Sequence, residues 1–272
     1  MQTFSINPLN LVKGLKRNHA LLISLTRREV DSRYRGTMAG TLWALFQPLL
    51  MLSIYTFVFS VIFKARWGKT ETSDAEYSLI LFIGLFVFQI FSECVNRAPT
   101  LVVGNINYVK KIIFPLETLP LIAMGGALFQ LFISLLVWVV AHFMLIGLPP
   151  LTGFMFPFVL MPLLFFTLGL SWLLASLGVF VRDVAQLTAI VTTVLFFMSP
   201  IFYPVTAVPE RFQFFYKLNP ITYVVEQSRE VLFFGQYPDL LQWSIYLASS
   251  LLVAWLGFFW FQVTRRGFAD VL

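Results

Sequence analysis

The four residues Trp67-Gly68-Lys69-Thr70 are ordered like the end of a phosphate-binding loop, in which lysine and a hydroxyl meet nucleotide phosphates. Such a loop needs a glycine five residues before Gly68, and Phe63 stands there, with no strand expected ahead of it. The chain is therefore expected to bind no ATP by itself. Glu93 and Arg97 are four apart in the order that favours an intrahelical pair. They lie near one end of an apolar segment, where any charge raises a functional question. We read them as a structural ion pair. His19 and His142 are far apart, and Cys94 is the single cysteine, so neither a disulfide nor a cysteine-rich metal site can form within the chain. His142, alone in an apolar stretch, reads as a packed or interfacial histidine. No Ser/His/Asp set and no metal-ligand cluster is visible. The expectation is no catalytic residue, no metal and no cofactor in this chain.

The elements that would carry these residues are apolar helices. Of 272 residues, 58% are hydrophobic and 12% charged, and the mean hydropathy is +0.82. An ordinary soluble domain carries about 25% charged residues, so lipid must solvate much of this chain. A net charge of +6 could suggest nucleic acid. The basic residues, however, cluster at the ends of apolar stretches, as in membrane proteins, and nucleic-acid binding is set aside. Crossing the hydrocarbon takes about 20 apolar residues in a helix. Six segments qualify: Gly40–Phe63, Leu79–Val103, Leu119–Gly147, Phe154–Val181, Val184–Tyr203 and Leu240–Val263. The first begins too late and runs too long for a cleavable signal peptide. Thirteen of the 19 lysines and arginines fall on the side of the termini and six on the other. That bias predicts both termini in the cytoplasm.

Two further segments read as helices that do not span. In residues 1–35, Leu11, Leu15, Leu22 and Leu25 fall within about 80° of one another at helical spacing. Lys13, Lys16, Arg17, Arg27 and Arg28 take the opposite face. This predicts an amphipathic helix in the membrane interface, or one docked on a partner. Arg33 would land on the leucine face, so the helix is expected to end or bend before it. The second segment is Pro220–Phe234, with Asn219 as cap, Pro220 at the first helical position and Gly235 as stop. At about 22 Å it is too short to cross, and it carries Glu226, Arg229 and Glu230. With Pro204–Leu218 it is expected to form a partly inserted, outward hairpin over residues 204–235; a plain external loop is the alternative.

Polar and helix-breaking residues interrupt the apolar segments at definite places. Arg33-Tyr34-Arg35-Gly36 leads into Gly40-Thr41-Leu42-Trp43-Ala44-Leu45-Phe46-Gln47-Pro48. Val109-Lys110-Lys111-Ile112-Ile113-Phe114-Pro115 and Arg182-Asp183-Val184-Ala185-Gln186 follow. Met198-Ser199-Pro200-Ile201-Phe202-Tyr203-Pro204 and Leu218-Asn219-Pro220-Ile221-Thr222 complete the set. In these stretches, over about residues 20–265, the chain resembles the ABC-2 family of ATP-binding-cassette permeases. The likeness is to the branch that exports O-antigen, capsular polysaccharide and teichoic acid. The resemblance implies an all-α integral membrane fold over 36–272, with six spans and an N-terminal interfacial helix. It implies a homodimer joined to two separate ATPase subunits, which would bind ATP and magnesium, in the bacterial inner membrane. A short cytoplasmic helix would dock on the ATPase; by position it maps to about 105–114, with Asn107, Tyr108, Lys110 and Lys111. The hairpin with Asn219, Pro220, Glu226 and Arg229 corresponds to the family's gate.

The implied cargo is a lipid-linked polysaccharide, which cannot cross hydrocarbon because each unpaired polar group there costs several kcal/mol. Sugar rings present apolar C–H faces, on which aromatic side chains form a sliding surface. Aromatics make up 17% of the sequence. The resemblance places the first and fifth spans along the path. Tyr55 and Phe59 share a helical face there, near Ser53, Thr56 and Ser60. Phe196 and Phe197 lie on the fifth, and Phe196 would share a face with Tyr203 if Pro200 only kinks the helix. An ABC-2 exporter of a drug or small lipid remains the alternative. An ion-coupled secondary transporter would need midplane acids and an internal repeat, and a membrane enzyme an acid/base set.

Overall fold

The computed structural model describes residues 8–37, 40–62, 67, 73–110 and 114–272. Among them no strand occurs, as a chain lacking water partners for its backbone requires. In order, the helices are α1 (Pro8–Arg17), α2 (His19–Tyr34), α3 (Trp43–Tyr55, continued by a wider π turn Thr56–Ile62) and α4 (Asp74–Leu101). They continue with α5 (Ile106–Lys110), α6 (Leu119–Leu145), α7 (Phe156–Phe180) and α8 (Val184–Met198). The last are α9 (Glu210–Leu218), α10 (Pro220–Arg229), α11 (Leu240–Thr264) and α12 (Phe268–Val271).

Among the described residues five helices are long and apolar enough to cross a membrane: Gly40–Phe59, Ala75–Leu101, Leu116–Leu145, Leu151–Phe180 and Leu240–Val271. The chain is a multi-pass, all-helical integral membrane protein. The expected fifth span, Val184–Tyr203, is shorter than the sequence suggested. Its helix α8 has 15 residues and stops at Met198, about 22 Å against a core of about 30 Å. Proline explains the stop. A residue before proline is pushed out of the helical region, and Ser199 has φ −101 and ψ 149. Pro200 therefore breaks the helix rather than kinking it.

The core is built on α4. Its apolar window is 78% buried within the subunit, while that of the first span is 11% buried. α4 packs against α6, α7, α8 and α10. Helices α7 and α11 come into backbone contact, because glycines meet at their crossing. A Cβ on Gly257 would run into the backbone of Gly169, and one on Gly169 into that of Val253. By contrast α3 and α8 turn rows of large apolar side chains outward. On α8 the exposed set Leu187, Ile190, Val191, Val194 and Phe197 follows helical spacing.

The N-terminal segment differs from expectation at its C-terminal end. The helix breaks at Asn18 but runs straight through Arg33 to Tyr34. Arg33 sits on the inward face because carboxylates await it there. Helix α2 lies against α6, where Tyr34 donates to Gln130 Oε1 at 2.9 Å and Gln130 Nε2 donates to the Ala44 carbonyl at 3.1 Å. Helices α2, α5 and α12 all gather at one end of the bundle, with the C-terminal ends of α4, α7 and α11. Helices α2 and α12, from the two ends of the described chain, thus occupy that end.

Candidate transport path and coupling site

Tyr55, Phe59, Phe196 and Phe197, four of the residues expected along a path, come together around a ring that sequence periodicity could not place. Phe202 follows the break at Pro200, so no helical register reaches it. Its ring centroid lies 5.3 Å from Phe59, 5.1 Å from Phe196, 6.2 Å from Tyr55 and 6.4 Å from Phe197. Tyr55 and Phe59 share a face, with centroids 6.2 Å apart. Tyr77 at the start of α4 closes the cluster, donating its hydroxyl to the Phe202 carbonyl at 2.8 Å. Tyr203 does not join Phe196 on one face. Beyond the break it turns away, and its hydroxyl donates to the Phe197 carbonyl at 2.8 Å and lies 2.7 Å from that of Tyr216 on α9. The Ser53 and Thr56 hydroxyls bond to carbonyls four residues earlier in their own helix; the Ser60 side chain lies outside the described residues.

Beside this cluster a cavity of about 270 Å³ opens between α3, α4 and α6. Gln47 and Gln89 bring amides to its lining and Tyr55, Phe88 and Phe196 bring rings, while the Gln130 amide there is already bonded to Tyr34 and to the Ala44 carbonyl. Amide donors and acceptors next to flat apolar rings suit a ligand with hydroxyl edges and C–H faces.

The segment 204–235 folds as a helical pair, α9 and α10, with a π turn Glu230–Phe234 and Gly235 at φ 70 as the stop. Asn219 caps α10 by accepting from the Ile221 N–H at 3.0 Å, and its amide donates to Ser199 Oγ at 3.0 Å. Pro220 occupies the first turn. Glu226 is half-buried. Arg229 is 2% exposed and donates to three carbonyls: Ile80 at 3.1 Å, Pro200 at 2.6 Å and Ile201 at 2.8 Å. Its guanidinium also lies 4.3 Å above the Trp67 ring. One cation thus ties the hairpin to the start of α4 and to the broken end of α8. The sequence shows the charge but not its three acceptors.

At the other end, Glu93 and Arg97 do not pair with each other. Glu93 is bound by Arg33, and Arg97 Nη1 lies 2.6 Å from Glu29 Oε1. Glu29 and Arg33 also pair within α2, at 3.3 Å. The four charges, spaced i,i+4 on each of two neighbouring helices, interlock into a net that gives each arginine an inter-helix partner. Burial alone would raise the Glu29 carboxyl, but Arg97 and then Arg33, by hydrogen bonds and charge, outweigh it and hold it below its ordinary value of 4.5.

Next to this net stands α5, where the sequence placed the docking helix at 105–114. Asn107 is exposed and Tyr108 half-buried, its ring stacked on Phe114 at 4.5 Å. The Lys110 side chain and the whole of Lys111 lie outside the described residues. A cavity of about 230 Å³ separates α2 from α5, lined by Arg28, Glu29, Arg97, Asn105 and Tyr108. His142 is buried, with Nδ1 2.9 Å from the Gly147 carbonyl and its ring beside Trp138 and Phe233, as the packed reading expected.

The profile of the ABC-2 type transporter family matches residues 20–233, from α2 through the hairpin. The chain belongs to that family. Curated relatives of this ABC-2 chain include an O-antigen export system permease protein, RfbA, of Myxococcus xanthus. It is 26% identical over 264 residues, covering 96% of this chain and 99% of the relative. An RfbA of Klebsiella pneumoniae is 26% identical, covering 93% and 95%. The polysialic acid transport protein KpsM of Escherichia coli is 24% identical, covering 86% and 89%. This ABC-2 chain is therefore a transport permease of the membrane, and its hairpin and charged net fall within the matched region.

Proposed function

We propose that this permease moves a lipid-linked polysaccharide across the bacterial inner membrane, powered by a separate ATPase subunit. Near end-to-end similarity to O-antigen export permeases carries this reading. The cavity of amides and ring faces beside Tyr55, Phe59, Phe196, Phe197 and Phe202 supports the choice of a glycan over an apolar drug. Two copies would face each other across α3 and α8, whose outward rows have no covering in one subunit. Two ATPases would bind ATP and magnesium and dock at α5, contacting Asn107, Tyr108, Lys110 and Lys111. That end, rich in arginine, would face the cytoplasm, with both termini. Tyr203 and the α9–α10 pair would form the outward gate, held by Arg229.

The test is reconstitution. The permease purified with its ATPase into proteoliposomes should export a lipid-linked oligosaccharide on addition of ATP, and the permease alone should hydrolyse none. Reversing the charge at Lys110 and Lys111 together should leave insertion intact and separate hydrolysis from export. ATP hydrolysis by the permease alone, or export by the double variant at the wild-type ratio to hydrolysis, would contradict the respective claim.

A further inference from the structure

We propose that Arg265 and Glu117 are positioning residues that fasten the last span to the coupling loop, so that α7 and α11 move with it. The proposal rests on the reading of residues 105–114 as the ATPase contact. Arg265 follows the end of α11, and Glu117 lies in the turn Leu116–Thr118 between the loop and α6. They are 148 residues apart, yet Arg265 Nη1 reaches Glu117 Oε2 at 2.6 Å. Arg265 Nη2 donates to the Phe114 carbonyl at 2.9 Å, at the loop's own end. The other partner of this turn comes from α7, where Trp172 Nε1 donates to the Glu117 carbonyl at 2.9 Å.

Both side chains are largely out of water, Arg265 at 12% and Glu117 at 19% exposure. A pair so placed is screened less than an exposed one, and removing either charge weakens the hold on the other. Around it the two spans are locked together. Ser176 and Thr264 hydroxyls lie 2.7 Å apart, and Phe268 of α12 is fully buried between Phe180 and Phe261. The glycine crossing of Gly169 and Gly257 brings the backbones of α7 and α11 into direct contact. A displacement of the loop is thereby delivered to α4 and α6 through the chain, to α11 through the Arg265 pair, and to α7 through Trp172. Helix α3 with its π turn and helix α8 pack at the side of that block and carry Tyr55, Phe59, Phe196 and Phe197, so a stroke of the block acts on the aromatic path through them and through Tyr77 of α4.

The experiment uses the complete permease–ATPase complex in proteoliposomes, with Glu117→Gln, Arg265→Gln and the exchange Glu117→Arg/Arg265→Glu. Each single variant should keep its ATPase and hydrolyse ATP within about twofold of wild type, while glycan exported per ATP falls about tenfold; the exchange should recover most of that ratio. A mere staple predicts hydrolysis and export falling in parallel. An unchanged ratio in the single variants, or no recovery in the exchange, overturns the proposal. Where a single variant does not fold, Glu117→Cys/Arg265→Cys joined by a short bis-maleimide supplies the answer, since the native Cys94 is buried. A pair that moves together exports at the wild-type ratio when joined, and loss of export on joining overturns the proposal. A wild-type complex that hydrolyses ATP and exports no glycan overturns the exporter reading itself, and this inference with it.

Discussion

Arg33 and Arg97 each take a carboxylate from the other's helix, and that exchange holds the N-terminal helix to the bundle. Glu29 is the shared member, bonded to both. Its carboxyl is held below its usual value, so it is ionised at neutral pH, and the docking it provides is fully present above about pH 4.5. The contribution is lost as pH falls through the lower folded value. Protection from hydrogen exchange over residues 19–34, taken relative to the intrinsic rate at each pH, should therefore be lost as pH falls below about 4.5, and Glu29→Gln should be weakly protected across the whole range with that acid step abolished. An acid step of the same size in Glu29→Gln would assign the effect to another group. At this scale the sequence named Glu93 and Arg97 and gave them the wrong partners. Helical spacing reveals which charges can meet within one helix, and it carries no information about a carboxylate that arrives from another.

Between α7 and α11 the fit is set by missing side chains. Gly257→Leu must push a side chain through the backbone of Gly169. The cost is about 1–3 kcal/mol, the usual range for overpacking, and here at its upper end because the contact is backbone. In detergent the variant should melt well below wild type, whereas Gly104→Ala, which meets nothing within 4 Å, should melt close to it. Equal melting of the two would show that the crossing is looser than its geometry. The elements themselves were largely legible. Asn219 as cap and Gly235 as stop can be read from local chemistry and stand in the structure. Two boundaries were not. Pro200 ends α8, where a kink was expected, and α2 continues through Arg33, where a bend was expected. Pro200 ends α8 locally and Arg229 takes the carbonyls beyond the break, whereas for α2 the deciding partner is remote, since Glu93 receives the arginine.

As a whole, the subunit is a dense block of α4, α6, α7, α10 and α11 with α3 and α8 attached at its side. The exposed row on α8 would lie against a second copy, and in a twofold pair a residue near the axis meets its own equivalent. Val194→Cys should accordingly cross-link to Val194→Cys of the other subunit in membranes, giving a band of twice the mass. Leu252→Cys, exposed on α11, should remain monomeric under the same treatment. Cross-linking through α11 in place of α8 would move the interface.

The sequence by itself determined the solvent, the rough course of the chain through it, and the family. Hydropathy is a property of single segments, and caps and prolines act within a few residues, so both can be read along one strand of text. What only the tertiary structure decided were the meetings: Phe202 with Phe59 and Phe196, Arg229 with three carbonyls, Arg33 with Glu93, and Arg265 with Glu117. Inside an apolar environment a charge or a polar atom must find a partner wherever packing brings one. That choice depends on how helices distant in sequence are laid side by side, and no local pattern encodes it.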